Sequence, residues 1–489
     1  MWANLLHFYQ PHGQKRQIID MITAQCYRPV AEGLLANRDA RVTINFTGVL
    51  LEQLDQAGHG DVIDMYTDLV RRGQVELVGS GKYHAILPLL PLDEARRQVE
   101  ENTKTNRKYF GSDFKPRGVF LPEMAWDPKL APMLEELGFE WVVLDELAAR
   151  GSKGGVDWQQ TYTVTGSSLK AVFREHRLST MLAWISRDAA HLKAEAKEEL
   201  VPGRYVVTAM DGEVFGHHRA GHDRALFEML SDPEIGAVKM SEVFDKFPPG
   251  EALKTTACTW ASSEDDIAKG IQFISWDDPH NRIHQLQWEL LRLAVEQVDA
   301  LPHDEAVYRR LRQRLDPAVA SDQFYWAAGK PWWMIEYIER GAHDLLTIIQ
   351  EVPGAETGAA QRGLALYREI MELAYDWQRS GKIDSPQERP RIPFKERTLE
   401  AGDRGTWEAF VDMMRHEEKR AAERGSYEEA ILWRDAVNKL EQKLDMYDAV
   451  HAVDLIRQRL PHEEIEDTIA QYKARYNRIR GGQLEQRSN

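Results

Sequence analysis

Through roughly the first 260 residues, short apolar runs alternate with longer stretches in which apolar positions recur at helical spacing. The runs fall at 3–8, 42–46, 75–78, 118–121, 141–144, 171–173 and 205–209, and each leads into an amphipathic stretch or a polar loop. Apolar runs bounded by polar turns predict buried strands, and strands alternating with helices predict βαβ units around a parallel sheet. About seven strands without a Gly-x-Gly-x-x-Gly or Walker-type phosphate loop favour a barrel over a doubly wound nucleotide fold. In a barrel, site residues collect at the C-terminal strand ends. From residue 279 the strand pattern fades, and 283–300, 304–315 and 361–380 keep helical spacing. The expected organisation is a barrel over 1–275, a helical bundle over 276–385 completing the cleft, and C-terminal helices over 386–489. The last boundary follows the proline-rich junction at 384–393, and the tail 481–489 reads as frayed.

Charge and cysteine content narrow the classes. Lys and Arg number 62 against 78 Asp and Glu, a formal charge of −16, which argues against a nucleic-acid surface and against an anionic membrane. Only Cys26 and Cys258 are present, so no disulfide framework is expected and a reducing compartment fits. Residues 1–7 lack a secretory signature, and no apolar run approaches the roughly 20 residues of a membrane span. A cytoplasmic protein is expected. Fourteen Trp is a high count, and several stand beside polar candidates, where indole faces suit sugar rings.

The chemistry concentrates at strand ends. In Arg117-Gly-Val-Phe-Leu-Pro-Glu123-Met-Ala-Trp126 an apolar run breaks at a proline and presents a carboxylate and an indole. In Tyr205-Val-Val-Thr-Ala-Met-Asp211-Gly-Glu213-Val-Phe215-Gly-His217-His218 the first charged residue after the strand is again a carboxylate. One such acid capping a helix would be unremarkable, but two at parallel strand ends are what glycoside hydrolysis requires. One acid attacks or stabilises the anomeric carbon, and the other protonates the leaving oxygen, some 5 to 5.5 Å away when configuration is retained. The first and third runs end in further polar and aromatic groups, His7-Phe-Tyr9-Gln10-Pro11-His12 and Glu76-Leu-Val-Gly79-Ser-Gly81-Lys-Tyr83-His84. The run His217-His218-Arg-Ala-Gly-His222 invites a metal, but it lacks a His-Glu-x-x-His arrangement. No metal and no cofactor are expected.

Taken in order, His7-x-Tyr9-Gln10-Pro11, Gly73-Gln-Val-Glu76-x-x-Gly79-x-x-x-Tyr83-His84, Phe120-Leu-Pro-Glu123, Asp211-Gly-Glu-x-Phe215-Gly216 and Trp276-x-x-x-x-Asn281-x-Ile-His284 resemble the five motifs of glycoside hydrolase family 57. The likeness runs over about 3–345 and takes in Ser321-Asp-Gln-Phe-Tyr-Trp326. It implies an incomplete (β/α)7 barrel of the TIM type followed by an all-α region, retention of configuration, and α-glucan or malto-oligosaccharide substrates, as in α-amylases and 4-α-glucanotransferases. By the same resemblance Glu123 matches the nucleophile and Asp211 the general acid/base. His7, Gln10, Glu76, His84, Trp126, Phe215, His217, Trp276, Asn281 and Trp326 are the candidate substrate-binding residues. Tyr9 stands where the family's first motif usually carries a second histidine. A branching enzyme or an α-galactosidase on the same scaffold, or a non-catalytic glucan-binding scaffold, are the alternatives; keeping both Glu123 and Asp211 argues against the last.

Beyond the junction, Met413-x-x-x-Glu417-x-x-x-Ala421-x-x-x-Gly425-Ser-Tyr427-Glu428-x-Ala430-x-x-Trp433-Arg434-Asp435 resembles a UVR-type helical hairpin. The resemblance implies pairing with another hairpin, which makes these helices a candidate surface for homo-oligomer formation. The competing expectation is a bracing segment, because Trp407, Phe410, Trp433 and Tyr447 form an apolar stripe that needs a cover.

Overall fold

The computed structural model describes residues 1–185, 189–197, 199–329, 332–354, 358–383, 404–442, 448–461, 464–465, 467–472 and 474. The junction at 384–393, Tyr447 and the tail 481–489 lie outside them. Two compact units emerge: Met1–Glu213 with Asp223–Ser385, and Val214–His222 with Pro386–Asn489.

In the first unit the strands are β1 (Trp2–Phe8), β2 (Val42–Phe46), β3 (Val75–Val78), β4 (Gly118–Phe120), β5 (Trp141–Asp145), β6 (Thr161–Val164), β7 (Lys170–Arg174), β8 (Val206–Asp211), β9 (Ala237–Val238) and β10 (Pro249–Leu253). Two sheets carry them. One runs β3-β2-β1-β8 with β9 beside β1, and the other runs β10-β6-β7-β5-β4. Parallel pairing of Gly79 with Val119 carries β3 over to β4. Between β7 and β8 a regular ladder gives way to single bonds: Glu175 N–H donates to the Val207 carbonyl at 2.7 Å, and the Arg174 guanidinium to the Ala209 carbonyl at 2.8 Å. Seven parallel strands, β1-β2-β3-β4-β5-β7-β8, therefore curl into an incomplete (β/α)7 barrel with a weak seam. All seven coincide with the apolar runs of the sequence.

The runs are legible because both faces of such strands are covered; every residue of β1 and β2 is buried. Where packing is tight, glycine is required. A Cβ on Gly79 would sit 2.5 Å from the Phe139 ring, so glycine there leaves room for that ring beside the end of β3. Strands β6, β9 and β10 escaped the sequence pattern. They lie outside the barrel, β9 has two residues, and β10, Pro-Gly-Glu-Ala-Leu, carries no apolar run.

The helical region adds Arg282–Asp299, Ala306–Ala318, Ile335–Gln350 and Ala359–Arg379 to the same unit. Their apolar faces join the barrel in one continuous core that includes Leu5, Val143, Leu291, Leu345 and Ile370. Among the described residues no helix is long and apolar enough to cross a membrane.

The second unit is built on helices Arg404–Glu423, Tyr427–Gln442 and Asp448–Arg459. Phe410, Met414, Trp433, Leu440 and Ile456 form a core of its own, with Trp407 packed at its edge. The apolar stripe is thus covered by the neighbouring helices of its own unit. Tyr427, Ile431 and Leu432 stay exposed on the Tyr427–Gln442 helix.

Candidate active site

Parallel register aligns the strand ends. His7 lies level with Asn45 on one side and with Asp211 on the other, and Asn45 is level with Val78. Because side chains alternate along a strand, His7, Asn45 and Asp211 point the same way, into the mouth. Glu123 comes from the turn after β4. Its backbone and that of Met124 are left-handed, φ 58° and 49°, and His84 shares this conformation at φ 59°. Each such residue costs roughly 1–3 kcal/mol, which the surrounding packing must offset. Three of them at one mouth mark a shape held for chemistry.

Glu123 is fastened at two points by Trp260: the Trp260 N–H donates to the Glu123 carbonyl at 3.1 Å, and the indole N–H donates to Oε2 at 2.7 Å. Oε1 lies 3.8 Å from His84 Nε2, and about a fifth of the carboxylate side chain, 22 %, stays open to solvent. A directed chain of bonds runs beneath it. His7 Nδ1 is 2.7 Å from Asn45 Oδ1, which can only accept, so the proton sits on Nδ1. His7 Nε2 then accepts from His84 Nε2–H at 3.1 Å, leaving His84 Nδ1 to accept from the Ser321 hydroxyl at 3.0 Å. Both imidazoles are neutral. Burial lowers His7 to about 4 and His84 well below the ordinary histidine value. Tyr9 stacks on His84 at 4.0 Å and 9°, and its hydroxyl donates to Asp322 Oδ2 at 2.5 Å.

Four carboxyl groups converge here with little compensating charge. Burial raises Glu123 to about 8, helped by the charge of Asp211 and opposed by the Trp260 N–H. Burial raises Asp211 to about 6, while Arg174 pulls it down. Glu213, which accepts from the Tyr27 hydroxyl at 2.6 Å and from the Tyr9 N–H at 3.1 Å, is raised by burial and by Asp211 to about 8. Asp322 is raised by burial to about 6. Arg174 is held by Asp145 at 2.9 Å, and its guanidinium lies 5.8 Å over the Trp260 ring. Between about pH 6 and pH 8 the Glu123–Asp211 pair holds one proton, bound more tightly by Glu123. Gly212 sets the spacing between Asp211 and Glu213: a Cβ there would fall 1.9 Å from the Phe8 ring.

Residues 4–256, which carry both carboxylates, match a known family model, "Glycosyl hydrolase family 57". The chain belongs to glycosyl hydrolase family 57. Family 57 relatives include an α-amylase from Pyrococcus horikoshii, 30 % identical over 259 residues that make up 50 % of this chain and 40 % of the relative. A 4-α-glucanotransferase from Thermococcus litoralis is 29 % identical over 259 residues, 50 % of this chain and 38 % of the relative. The match thus spans about two fifths of the length of these relatives. The solved structure of the Thermococcus litoralis 4-α-glucanotransferase superposes with a TM-score of 0.57 at 21 % identity, covering 72 % of this chain and 59 % of that one. A family 57-type branching enzyme from Pyrococcus horikoshii gives 0.56 at 19 % identity, covering 80 % and 98 %. At these identities the superpositions speak to fold.

Against the family 57 expectations, His7, His84, Glu123 and Asp211 come together. Gln10 stands at the edge of the group, accepting from Gln14 at 3.3 Å. Other candidates are engaged elsewhere in the unit. Glu76 lies two residues before the end of β3, accepting from Thr43 at 3.3 Å and from the Ser241 N–H at 3.0 Å. The Trp126 indole is buried and donates to Thr255 at 3.0 Å. Trp276 is buried, and Asn281 caps the Arg282–Asp299 helix while donating to the Ala327 carbonyl at 2.8 Å. Trp326 stacks on Tyr337 at 5.8 Å; Tyr337, Asp322, Arg340, Asp344, His12 and Pro11 share a small open cleft of about 50 Å³. Phe215 and His217 belong to the second unit, where Phe215 stacks on His222 at 5.2 Å. Sequence reasoning missed Trp260, Asn45, Arg174 and Asp322. Trp260 follows a stretch without strand signal, and only its tertiary position beside Glu123 reveals it. Among the described residues no group of three His, Cys, Asp or Glu is placed to hold a metal ion.

Proposed function

We propose that this chain is a retaining enzyme of α-1,4-glucans, a hydrolase or 4-α-glucanotransferase that works by double displacement. The observation carrying the reading is the coupling of two raised carboxyl groups at the ends of two barrel strands, one of them clamped by an indole N–H. Glu123, when ionised, attacks the anomeric carbon; the glycosidic bond breaks and Asp211 gives its proton to the leaving oxygen. Glycosylation removes the charge on Glu123, so Asp211, now ionised, takes a proton from water or from a sugar hydroxyl as that oxygen displaces the carboxylate. The indole N–H of Trp260 favours the ionised nucleophile, and the directed bonds through His84, His7 and Asn45 hold the imidazoles neutral at the floor of the cleft. Water as acceptor gives hydrolysis, and a sugar hydroxyl gives transfer.

Incubation with maltoheptaose tests this. Glucose and short maltosides would identify a hydrolase, and a ladder of longer chains a glucanotransferase, each with α-configured product at first appearance. No turnover of any α-1,4-glucan, or initial β-configured product, would overturn the reading.

A further inference from the structure

Arg174 is a buried cation at the weak seam of the barrel, and its side chain is fixed at two points. It is the last residue of β7, and parallel register sets it level with Asp145, the last residue of β5. Its guanidinium donates to Asp145 Oδ2 at 2.9 Å, and its Nε crosses the seam to the Ala209 carbonyl of β8 at 2.8 Å. Ala209 lies two residues before Asp211 on the same strand, so their side chains face the same way. The guanidinium also lies over the ring of Trp260, whose N–H holds Glu123. Asp145 is wholly buried and ionised: against the cost of burial, a bond from His176 and the charge of Arg174 hold it below the ordinary carboxylate value, and its Oδ1 accepts from the Leu147 N–H at 3.1 Å.

The groups around Asp211 differ in sign. Glu123, from the turn after β4, and Glu213, beyond Gly212, are both raised by its charge. His7, level with it on β1, is neutral, and Asp322 of the helical region acts on Glu123. Burial raises Asp211 and Arg174 pulls it down. Asp145 and His176 face the guanidinium itself, at 2.9 Å and 3.3 Å. Double displacement asks two states of Asp211, protonated while the glycosidic bond breaks and ionised while the glycosyl-enzyme opens. Glycosylation strips Glu123 of its charge but leaves Asp211 buried, where desolvation by itself favours the protonated form.

We infer that Asp145 and Arg174 are positioning residues for the second half of the reaction: Asp145 locks the guanidinium beside β8, where its charge keeps Asp211 ionised to take a proton from the acceptor. The inference rests on the reading of Asp211 as the acid/base. The pair takes part in no bond change. The proton passes from water or a sugar hydroxyl to Asp211 as that oxygen displaces Glu123, and Arg174 keeps its own throughout.

A 2,4-dinitrophenyl α-maltoside isolates this half. Its leaving group departs without a proton, so at saturation kcat reads the opening of the glycosyl-enzyme and rises with pH as Asp211 ionises. In the full-length chain Asp145→Asn/Arg174→Gln removes both charges and strands neither, and should move that acid limb up by about one pH unit. Asp145→Leu/Arg174→Met, an apolar pair in the same place, should move it the same way. Arg174→Lys keeps the charge and should keep the limb at its wild-type pH, whatever it costs in rate. A limb that stays put in both neutral pairs, with kcat lowered by one factor at every pH, would make the pair structural and overturn the inference. So would a limb that moves as far in Arg174→Lys, or failure of both neutral pairs to fold in thermal melts. An acid limb that persists in Asp211→Ala would sink the reading of Asp211 itself, and wild-type protein inactive on this maltoside and on maltoheptaose would sink the glucan reading.

Discussion

Replacing Trp260 with Phe removes one atom group that matters, the indole N–H at 2.7 Å from Glu123 Oε2, and keeps an aromatic ring against Phe120 and the backbone bond to the Glu123 carbonyl. A hydrogen bond to a charged acceptor contributes about 1.5–3 kcal/mol, and one pKa unit corresponds to about 1.4 kcal/mol. The loss should therefore raise the proton affinity of Glu123 by about one to two units above its value of about 8. The sign of the kinetic effect follows from the paired titration. Activity needs Glu123 ionised and Asp211 protonated, and tighter proton binding by Glu123 fills the competing form in which the proton sits on the wrong carboxylate. At pH 7 kcat/KM for maltoheptaose should fall about ten- to hundredfold. Where both carboxyls are ionised the variant and wild type should converge, so the alkaline limb of kcat/KM moves up by about one to two units while the acid limb, set by Asp211, stays put. The assay is a pH series of initial rates on both proteins, with thermal melts to confirm that the fold is retained. An alkaline limb that does not move, or a deficit of the same size at every pH, would refute the assignment of that N–H to the nucleophile.

Other outcomes follow from the same geometry. For the wild type, kcat/KM should be bell-shaped, falling below about pH 6 as Asp211 and Glu123 both become protonated and above about pH 8 as the pair loses its last proton; a flat profile between 5 and 9 would contradict the pairing. Glu123→Ala should be inactive, yet azide with a reactive α-maltosyl donor should restore turnover and yield a β-configured glycosyl azide; an active Glu123→Gln would remove the nucleophile role. Tyr9→Phe leaves Asp322 without its 2.5 Å donor, so kcat/KM should drop several-fold, read from initial rates on maltoheptaose. Exhaustive chelation should leave the rate unchanged, and a loss restored by zinc would show that metal chemistry is involved.

Strand positions and the two carboxylates could be read from the chain because they depend on local pattern. A parallel strand buried on both faces must be apolar along its length, and a carboxylate directly after it stands at the barrel mouth whatever the loops do. That Gly79 and Gly212 leave room for the Phe139 and Phe8 rings, by contrast, only the fold identifies. What tertiary structure decided is pairwise. That Trp260 reaches Glu123 across 137 residues, that His84 and His7 share a proton path with Asn45, and that Asp322 closes on Tyr9 across 313 residues depend on the curl of two sheets and on a helix packed from far along the chain. Burial is equally invisible in sequence, and it is burial that raises all four acids and sets Glu123 above Asp211. The partition of the chain was beyond the pattern for the same reason: residues 214–222 adjoin the barrel in sequence, but a buried Arg219 has to find a carboxylate, and the one it finds is carried by the C-terminal helices.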